Sequence, residues 1–220
     1  MFAAYWLERW HEGRIGWHHG KPLPLLMKYW PALEIPPRTR VLVPLCGKSA
    51  DLLWLAAQEC LVLGVELSPL AVEQLFAENQ LTPRSRHESD GVHWTAGSLE
   101  IINGDIFDVD ADTLDSCGAF YDRAALVALP APMRERYVQE IYGKLPGGCR
   151  GLLITLGYPP GEMDGPPFAV DDAEVHRLFD AEWHVELLER EDIPTTQPPF
   201  AAQGVTALQQ AAYRLVKRTD

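Results

Sequence analysis

Two residues, Gly47 and Glu66, have the types and the spacing of a nucleotide-binding unit. Gly47 follows the apolar run of residues 41–45, and Glu66 closes the next apolar run, 19 residues further along the chain. In α/β proteins such a glycine turn lets a ligand approach the backbone, and an acid at the end of the second strand accepts the hydroxyl groups of a ribose. The pattern therefore predicts a site for a ribose-bearing ligand.

The turn lacks the glycines that bind phosphate groups. A P-loop requires a glycine five residues before its Gly-Lys pair, and Leu42 occupies that position. The dinucleotide fingerprint G-x-G-x-x-G falls on Leu45, Gly47 and Ala50, so two of its three glycines are missing. A ligand with a ribose but no phosphate does not need them, and S-adenosylmethionine is such a ligand. We expect its ribose at Glu66 and its methionyl group against the backbone of Leu45 and Gly47.

Two further strand ends carry candidate binding residues. Asp105 and Ile106 follow the third strand pair, where the loop of a doubly wound sheet lies beside the adenine of a bound nucleoside. Asp105 or the backbone of Ile106 would bond the ring edge, although a simple Gly-Asp turn accounts for the same residues. Arg123 ends the fourth strand and would clamp a carboxylate through two hydrogen bonds, with a surface salt bridge as the alternative interpretation.

The N-terminal segment is rich in aromatic residues and in histidine. Trp10 and Trp17 flank Gly13 and Gly16, which suits a flexible lid across a cleft, although tryptophans at helical spacing usually belong to a core. Without an H-E-x-x-H motif or a cysteine pair we expect no metal site. The absence of a G-x-S-x-G motif disfavours a serine hydrolase.

The elements that must position these residues alternate between strand and helix patterns from residue 40 onward. This alternation predicts an α/β fold. Residues 82–91 are polar, and residues 92–95 and 99–103 form a hairpin-like pair after them. A proline-rich loop at residues 193–200 joins the last two predicted strands.

Length, charge and cysteine content bound the class of protein. The chain has 220 residues, which suits a single domain over residues 1–220, and we expect a helical and aromatic lid at 1–37 and an α/β core at 38–220. The formal net charge of −12 argues against a nucleic-acid partner and against an anionic membrane surface. The four cysteines show no C-x-x-C spacing, so we expect reduced thiols and a cytoplasmic protein.

Several blocks of residues between 6 and 168 resemble the bacterial thiopurine S-methyltransferases, a family of class I S-adenosylmethionine-dependent methyltransferases. The first two blocks below are the most specific to that family. The blocks are Trp6-x-x-Arg9-Trp10 with Ile15-Gly16-Trp17-His18, Pro44-Leu45-Cys46-Gly47-Lys48-Ser49-x-Asp51, Gly64-Val65-Glu66-Leu67-Ser68, Gly104-Asp105-Ile106-Phe107, Asp122-Arg123-x-Ala125-Leu126 and Gly165-Pro166-Pro167-Phe168.

The resemblance implies a fold and a set of site residues. The fold is doubly wound and Rossmann-like, with a mostly parallel seven-stranded sheet and an antiparallel strand near the C-terminus. Trp17 and Phe168 would lie beside the acceptor pocket; Trp17 stands where the family often has phenylalanine, and Ala124 replaces a glycine common after Asp-Arg. The implied cofactor site consists of Trp10, Leu45, Glu66 and Arg123, supported by Gly47 and Ile106.

The implied reaction transfers a methyl group from S-adenosylmethionine to the sulfur of an aromatic or heterocyclic thiol. The transfer is an in-line displacement with a neutral leaving group, so the enzyme mainly aligns the reactants and excludes water. Aromatic thiols are more acidic than a cysteine thiol of pKa ~8.5, so a dedicated base is unnecessary. Arg123 is the candidate for stabilising the thiolate, and we expect a monomer.

Three alternatives stay open at this point. The same fold could methylate selenium or tellurium oxyanions in detoxification. A nicotinamide-dependent oxidoreductase would share Glu66, but should show the full glycine fingerprint. A non-catalytic binding module could keep the cofactor pocket as a sensor.

Overall fold

The computed structural model describes residues 2–196 and 199–219. The predicted proline-rich loop at 193–200 includes positions 197 and 198, which lie outside the described residues. The strands are β1 (Arg40–Pro44), β2 (Leu61–Glu66), β3 (Arg84–Glu88), β4 (Gly91–Ala96), β5 (Leu99–Asn103), β6 (Ala119–Arg123), β7 (Arg150–Gly157), β8 (Trp183–Asp192) and β9 (Gln209–Lys217).

These strands form a single sheet in the order β3-β4-β5-β2-β1-β6-β7-β9-β8. Strands β5, β2, β1, β6 and β7 run parallel, and β9 is antiparallel to both of its neighbours. The predicted mostly parallel sheet with an antiparallel strand near the C-terminus is therefore confirmed. The strand order reverses between β1 and β6, and doubly wound sheets bind ligands at the carboxyl ends of the strands beside such a reversal.

The described sheet has nine strands rather than the predicted seven. Strands β3 and β4 extend the edge beside β5, where β4 is antiparallel to both of its neighbours. The predicted hairpin-like pair of residues 92–95 and 99–103 corresponds to β4 and β5. Strand β3 lies in the polar segment to which the sequence assigned no strand, because all five of its side chains are exposed and the sequence RSRHE lacks apolar alternation. Pairing with β4, from Arg84 opposite Thr95 to Glu88 opposite Gly91, gives this segment its structure.

The helices that follow β1 and β2 begin at side-chain caps. Ser49 accepts a hydrogen bond from the backbone of Asp51, and Ser68 accepts one from Ala71, with Pro69 in the first helical position. Both helices therefore begin at the edge of the sheet where β1 and β2 end. The helices are α1 (Phe2–His11), α2 (Pro24–Tyr29), α3 (Ala50–Ala57), α4 (Pro69–Glu78), α5 (Ala111–Asp115), α6 (Ala131–Glu140), α7 (Asp172–Phe179) and α8 (Phe200–Gln203).

Two large apolar clusters cover the two faces of the sheet. Leu42 belongs to one cluster, whereas its neighbours Val41 and Val43 belong to the other, as the alternation of side chains along a strand requires. Helix α1 contacts α4 and buries Trp10 against the core. Among the described residues, every helix is too short or too polar to cross a lipid bilayer.

Candidate functional site

A cavity of about 570 Å³ lies along the carboxyl ends of the central strands, under α1. Cavities of this size hold small organic ligands. One end, the acidic end, contains Glu66, Asp105 and Ile106; the opposite end, the C-terminal end, contains Ile154, Leu156, Ile193, Phe200 and Gln210. The remaining lining residues include Trp6, Arg9, Trp10, Arg14, Trp17, His19, Leu45, Gly104, Phe107, Arg123, Ala124, Val127, Met133, Arg136, Pro166 and Pro167.

Glu66 is the best-fixed residue of the acidic end. One carboxylate oxygen accepts a hydrogen bond from the Gly47 amide at 2.8 Å, and the other accepts from the Ser68 amide at 2.7 Å. Burial raises the pKa of Glu66 to about 6, although the two backbone hydrogen bonds oppose that shift. A carboxylate has about four acceptor positions. Glu66 therefore retains acceptor capacity for the hydroxyl groups of a ribose.

The turn after β1 holds two residues in the left-handed backbone region. Leu45 has a φ of 47° and Gly47 has a φ of 54°. A left-handed conformation costs a residue such as leucine roughly 1–2 kcal/mol, and such strain in a turn often marks a binding site. A Cβ at Gly47 would stand 3.2 Å from the ring of Trp10, so the glycine lets α1 lie directly on the turn.

Asp105 and Ile106 form the other wall of the acidic end. One carboxylate oxygen of Asp105 accepts a hydrogen bond from the Phe107 amide at 3.1 Å and starts a short 3₁₀ helix. Ile106 is buried beside it. The side-chain amide of Asn103 donates to the backbone carbonyls of Glu66 and Leu67, at 2.9 and 3.2 Å. Asn103 thus ties the two walls of the acidic end together.

Arg123 lies between the two ends, at the tip of β6. Its neighbour Asp122 is fully buried and accepts hydrogen bonds from the hydroxyls of Tyr137 and Tyr142 and from a backbone amide. Burial raises the pKa of Asp122 above its ordinary value. Ala124 has a φ of 65°, so the chain turns sharply just after the arginine.

Arg123 adds positive charge to the middle of the cavity. Within residues 2–196 and 199–219, its guanidinium forms no ion pair or side-chain hydrogen bond. Burial, followed by the positive charge of Arg123, lowers the pKa of His19, which also lines the cavity. An unpaired cation at this position suits a ligand that carries a carboxylate or a developing negative charge.

An aromatic cluster from the N-terminal segment lines the cavity. The ring of Trp17 lies 5.2 Å from that of Trp6 and 6.0 Å from that of Trp10, in both cases edge to face. The guanidinium of Arg9 lies 5.2 Å from the centre of the Trp17 ring. Trp10 thus contacts the turn at Gly47, and Trp17 extends the same layer over the cavity.

The C-terminal end of the cavity belongs to a third, smaller apolar cluster. Phe200, Val205 and Leu208 form the buried part of this cluster, and Leu156 and Ile193 pack against it. Leu156 on β7 pairs directly with Gln210 on β9, so both lie at the same level of the sheet. Among the described residues that line this end of the cavity, Gln210 is the polar one.

The structure brings seven of the predicted site residues to the cavity. These are Trp10, Trp17, Leu45, Glu66, Asp105, Ile106 and Arg123. Gly47 does not line the cavity itself, but lies directly beneath Trp10 in a small adjoining pocket and bonds to Glu66.

Phe168 is not among the lining residues. Its ring packs against the backbone of Gly165, and its amide donates to the Val127 carbonyl at 2.6 Å. The preceding residues, Pro166 and Pro167, line the cavity instead. The structure therefore places Phe168 behind the wall that Pro166 and Pro167 form, and its role in the acceptor pocket stays a prediction.

Sequence reasoning missed the residues of the C-terminal end. Ile193, Phe200 and Gln210 follow residue 190, beyond the last recognisable block, and no motif marks them. They reach the cavity only because β9 pairs with β7. Arg14 and Arg136 were also missed. The sequence marks Arg14 only as a positive charge beside glycines, and Arg136 only as a positive charge on a polar helix.

The chain matches the family model described as thiopurine S-methyltransferase over residues 1–218. A thiopurine S-methyltransferase from Xanthomonas campestris pv. campestris is 56% identical over 215 residues, covering 98% of this chain and 99% of the relative. One from Bordetella parapertussis is 54% identical over 215 residues, covering 98% of each chain.

Solved structures of lower similarity share the fold. A methyltransferase from Burkholderia thailandensis, crystallised with 1,6-didemethyltoxoflavin and S-adenosylhomocysteine, has a TM-score of 0.64 at 15% identity and covers 99% of this chain and 87% of its own. A S-adenosylmethionine-dependent methyltransferase from Anabaena variabilis has a TM-score of 0.64 at 15% identity, covering 99% and 96%. At this identity the likeness concerns the fold.

Proposed function

The chain belongs to the thiopurine S-methyltransferase family, and from this premise we propose that it transfers a methyl group from S-adenosylmethionine to the sulfur of aromatic or heterocyclic thiols. One observation carries the proposal: a single cavity joins an end suited to a ribose with an apolar end suited to a flat ring. The family match gives no support to the nicotinamide oxidoreductase considered from the sequence.

We propose that the acidic end holds the cofactor. Glu66 would accept the ribose hydroxyls, and Asp105 and Ile106 would flank the adenine, since one oxygen of Asp105 is not used in capping. The left-handed turn at Leu45 and Gly47 leaves room for the methionyl group beside the backbone. When bound, S-adenosylmethionine supplies an electrophilic methyl group with a neutral leaving group.

The remaining task of the protein is to align the acceptor and to exclude water. Trp10 and Trp17 would form a lid over the reacting atoms, with residues 1–37 closing on the core at 38–220. Arg123 would bind the cofactor carboxylate or stabilise the acceptor thiolate. Phe168 would support the wall that Pro166 and Pro167 present to the acceptor.

Two variants of Arg123 separate these roles. If Arg123 stabilises the thiolate, Arg123→Ala lowers the rate of a single turnover at saturating cofactor, and the loss is smaller for acceptors with more acidic thiols. If Arg123 binds only the cofactor, Arg123→Ala raises the Kd for S-adenosylhomocysteine and leaves that rate unchanged. Arg123→Lys keeps the charge and tests whether the two-pronged guanidinium is needed.

The decisive test of the function is transfer of a radiolabelled methyl group. The purified chain, with labelled S-adenosylmethionine, is assayed on a panel of aromatic thiols and on selenite and tellurite. Labelled methyl thioethers support the proposal, and labelled selenium or tellurium products with inert thiols would favour detoxification chemistry. Tight binding of the cofactor without transfer to any acceptor would instead indicate a sensor.

We propose further that the protein acts as a cytoplasmic monomer on small molecules, without nucleic-acid or membrane partners. The net charge of −12 and the four buried, free cysteines support this. Light scattering during gel filtration measures the mass of the particle. A mass of twice 24.6 kDa or more would contradict the monomer.

A further inference from the structure

Gln210 is the polar side chain among the described residues at the C-terminal end of the cavity, and its neighbours there are apolar. It is half-buried, and within the described ranges 2–196 and 199–219 its side-chain amide makes no hydrogen bond. The preceding residue, Gln209, differs in both respects. Gln209 is exposed, and its amide donates to Asp192 at 2.9 Å. An unpaired amide that faces a cavity is available to a ligand.

The order of the strands sets the distance between Gln210 and the reaction centre. The acidic end lies over β5 and β2, Arg123 ends β6, and Gln210 stands on β9, two strands beyond β6. With neighbouring strands ~4.8 Å apart, β9 lies about 10 Å from β6. A cofactor seated at the acidic end thus leaves the region between Arg123 and Gln210 for the acceptor.

The surroundings of Gln210 specify a flat ligand. Leu156 lies beside it on β7, and Ile193 and Phe200 close the same end from the connection between β8 and β9. Apolar walls with one well-placed polar group are typical of a pocket that holds an aromatic ring in one orientation. No carboxylate or lysine lines this end among the described residues, so charge is not what distinguishes ligands there.

We propose that Gln210 is a specificity-determining residue that binds the heteroatom edge of the acceptor ring, so that the site prefers heteroaromatic thiols to plain aryl thiols. This inference rests on the proposed function. A glutamine amide offers both N–H donors and a carbonyl acceptor, which match a ring nitrogen beside a ring N–H. A phenyl ring offers neither, so it would cover the half-buried amide and leave it without a hydrogen-bond partner, which costs affinity.

The test compares 6-mercaptopurine with thiophenol in the wild type and in Gln210→Met. Methionine has nearly the same length and shape but no amide. We expect the ratio of kcat/KM for 6-mercaptopurine to kcat/KM for thiophenol to fall about tenfold, the effect of one good hydrogen bond. The change should lie in KM for 6-mercaptopurine, with kcat retained, because the edge contact forms equally before and during transfer.

Two further variants distinguish recognition from structure. Gln210→Glu keeps the shape and the acceptor but cannot donate, so its substrate ratio should fall as well. Gln209→Met makes the same change at the exposed neighbour and should leave the ratio within twofold. The Kd for S-adenosylhomocysteine, which a general disturbance of the fold would raise, should be unchanged in all three variants.

The possible results separate this inference from the proposed function. A wild type that methylates both thiols, with an unchanged ratio in Gln210→Met and Gln210→Glu, would overturn the role of Gln210 and leave the function standing. An equal fall of the ratio in Gln209→Met would also overturn it. A wild type that methylates neither thiol would overturn the proposed function and this inference together.

Discussion

The acidic end and the C-terminal end of the cavity are built by different means. Glu66 is fixed by two backbone hydrogen bonds within the sheet edge, and Asn103 ties its strand to the next. In the part of the chain that the structure describes, the C-terminal end instead consists of apolar side chains from a separate small cluster and the free amide of Gln210. An end whose binding groups are fixed by hydrogen bonds suits a ligand that is always the same. An end formed by packed apolar side chains can change its shape through single substitutions.

This contrast gives a physical reason for dividing cofactor and acceptor between the two ends. Hydrogen bonds demand fixed directions and are costly to leave unmade, so they select one partner. Apolar contacts are non-directional and tolerate ligands of similar shape. Substitutions at the acidic end should therefore change cofactor affinity, and those at the other end should change acceptor preference.

The largest effect is expected from Glu66→Ala. The variant loses two hydrogen bonds from ribose hydroxyls to a charged acceptor, each worth roughly 1.5–3 kcal/mol, so the cofactor Kd should rise at least ~100-fold. Isothermal titration with S-adenosylhomocysteine measures this, and Glu66→Gln, which keeps the shape, should lose less. A Kd within threefold of the wild type, with the fold intact by circular dichroism, would break the comparison.

The pH dependence of cofactor binding should follow Glu66. Burial raises the pKa of this carboxyl to about 6, and only the ionised form can accept hydrogen bonds from both ribose hydroxyls through free lone pairs. The affinity should be constant above pH 7 and should weaken by up to about tenfold for each unit below pH 6. In Glu66→Gln, which does not titrate, titrations from pH 5 to pH 8 should give a flat profile.

Trp17→Ala tests the layer that covers the cavity. Trp17 makes edge-to-face contacts with Trp6 and Trp10, and each such pair contributes ~0.5–1.5 kcal/mol. We expect the acceptor KM to rise about tenfold and the cofactor Kd to change much less. Trp10→Ala, which removes the ring lying on Gly47, should weaken both. If the two variants raised the cofactor Kd equally, the proposed division of cofactor and acceptor between the two ends would be contradicted.

Hydrogen exchange tests whether the N-terminal segment acts as a lid. We expect amides in residues 2–20 to exchange more slowly once S-adenosylhomocysteine is bound, because the aromatic cluster then closes on a filled cavity. Amides in the core strands β1 and β2 should change little and serve as the internal control. Equal exchange of the N-terminal segment with and without ligand would refute the lid.

The smallest effect is expected from Ala124→Gly, at the turn between the two ends. Ala124 has a φ of 65°, which glycine adopts without steric cost, so the variant should be more stable by at most about 1 kcal/mol. The greater freedom of glycine in the unfolded chain reduces the gain. Urea unfolding measures the difference, and a clear loss of stability would show that the turn is not strained.

The sequence predicted which residues meet at the acidic end, because these residues lie close together in the chain. Gly47 and Glu66 end consecutive strands of a parallel pair, and their spacing is fixed by the helix between them. The turn after the first strand, the end of the fourth strand and the N-terminal segment contributed Leu45, Arg123 and Trp10, which all line the same cavity. The sequence did not predict the nine-stranded sheet, since β3 is entirely exposed and carries no apolar pattern.

The sequence by itself thus determined the α/β fold, the family and the residues proposed to hold the cofactor. Only the tertiary structure decided which residues complete the opposite end of the cavity. Gln210 and Phe200 have no local mark of function, and they meet Leu156 because β9 inserts antiparallel between β7 and β8. Contacts between strands far apart in the chain depend on long-range pairing, which no short pattern encodes.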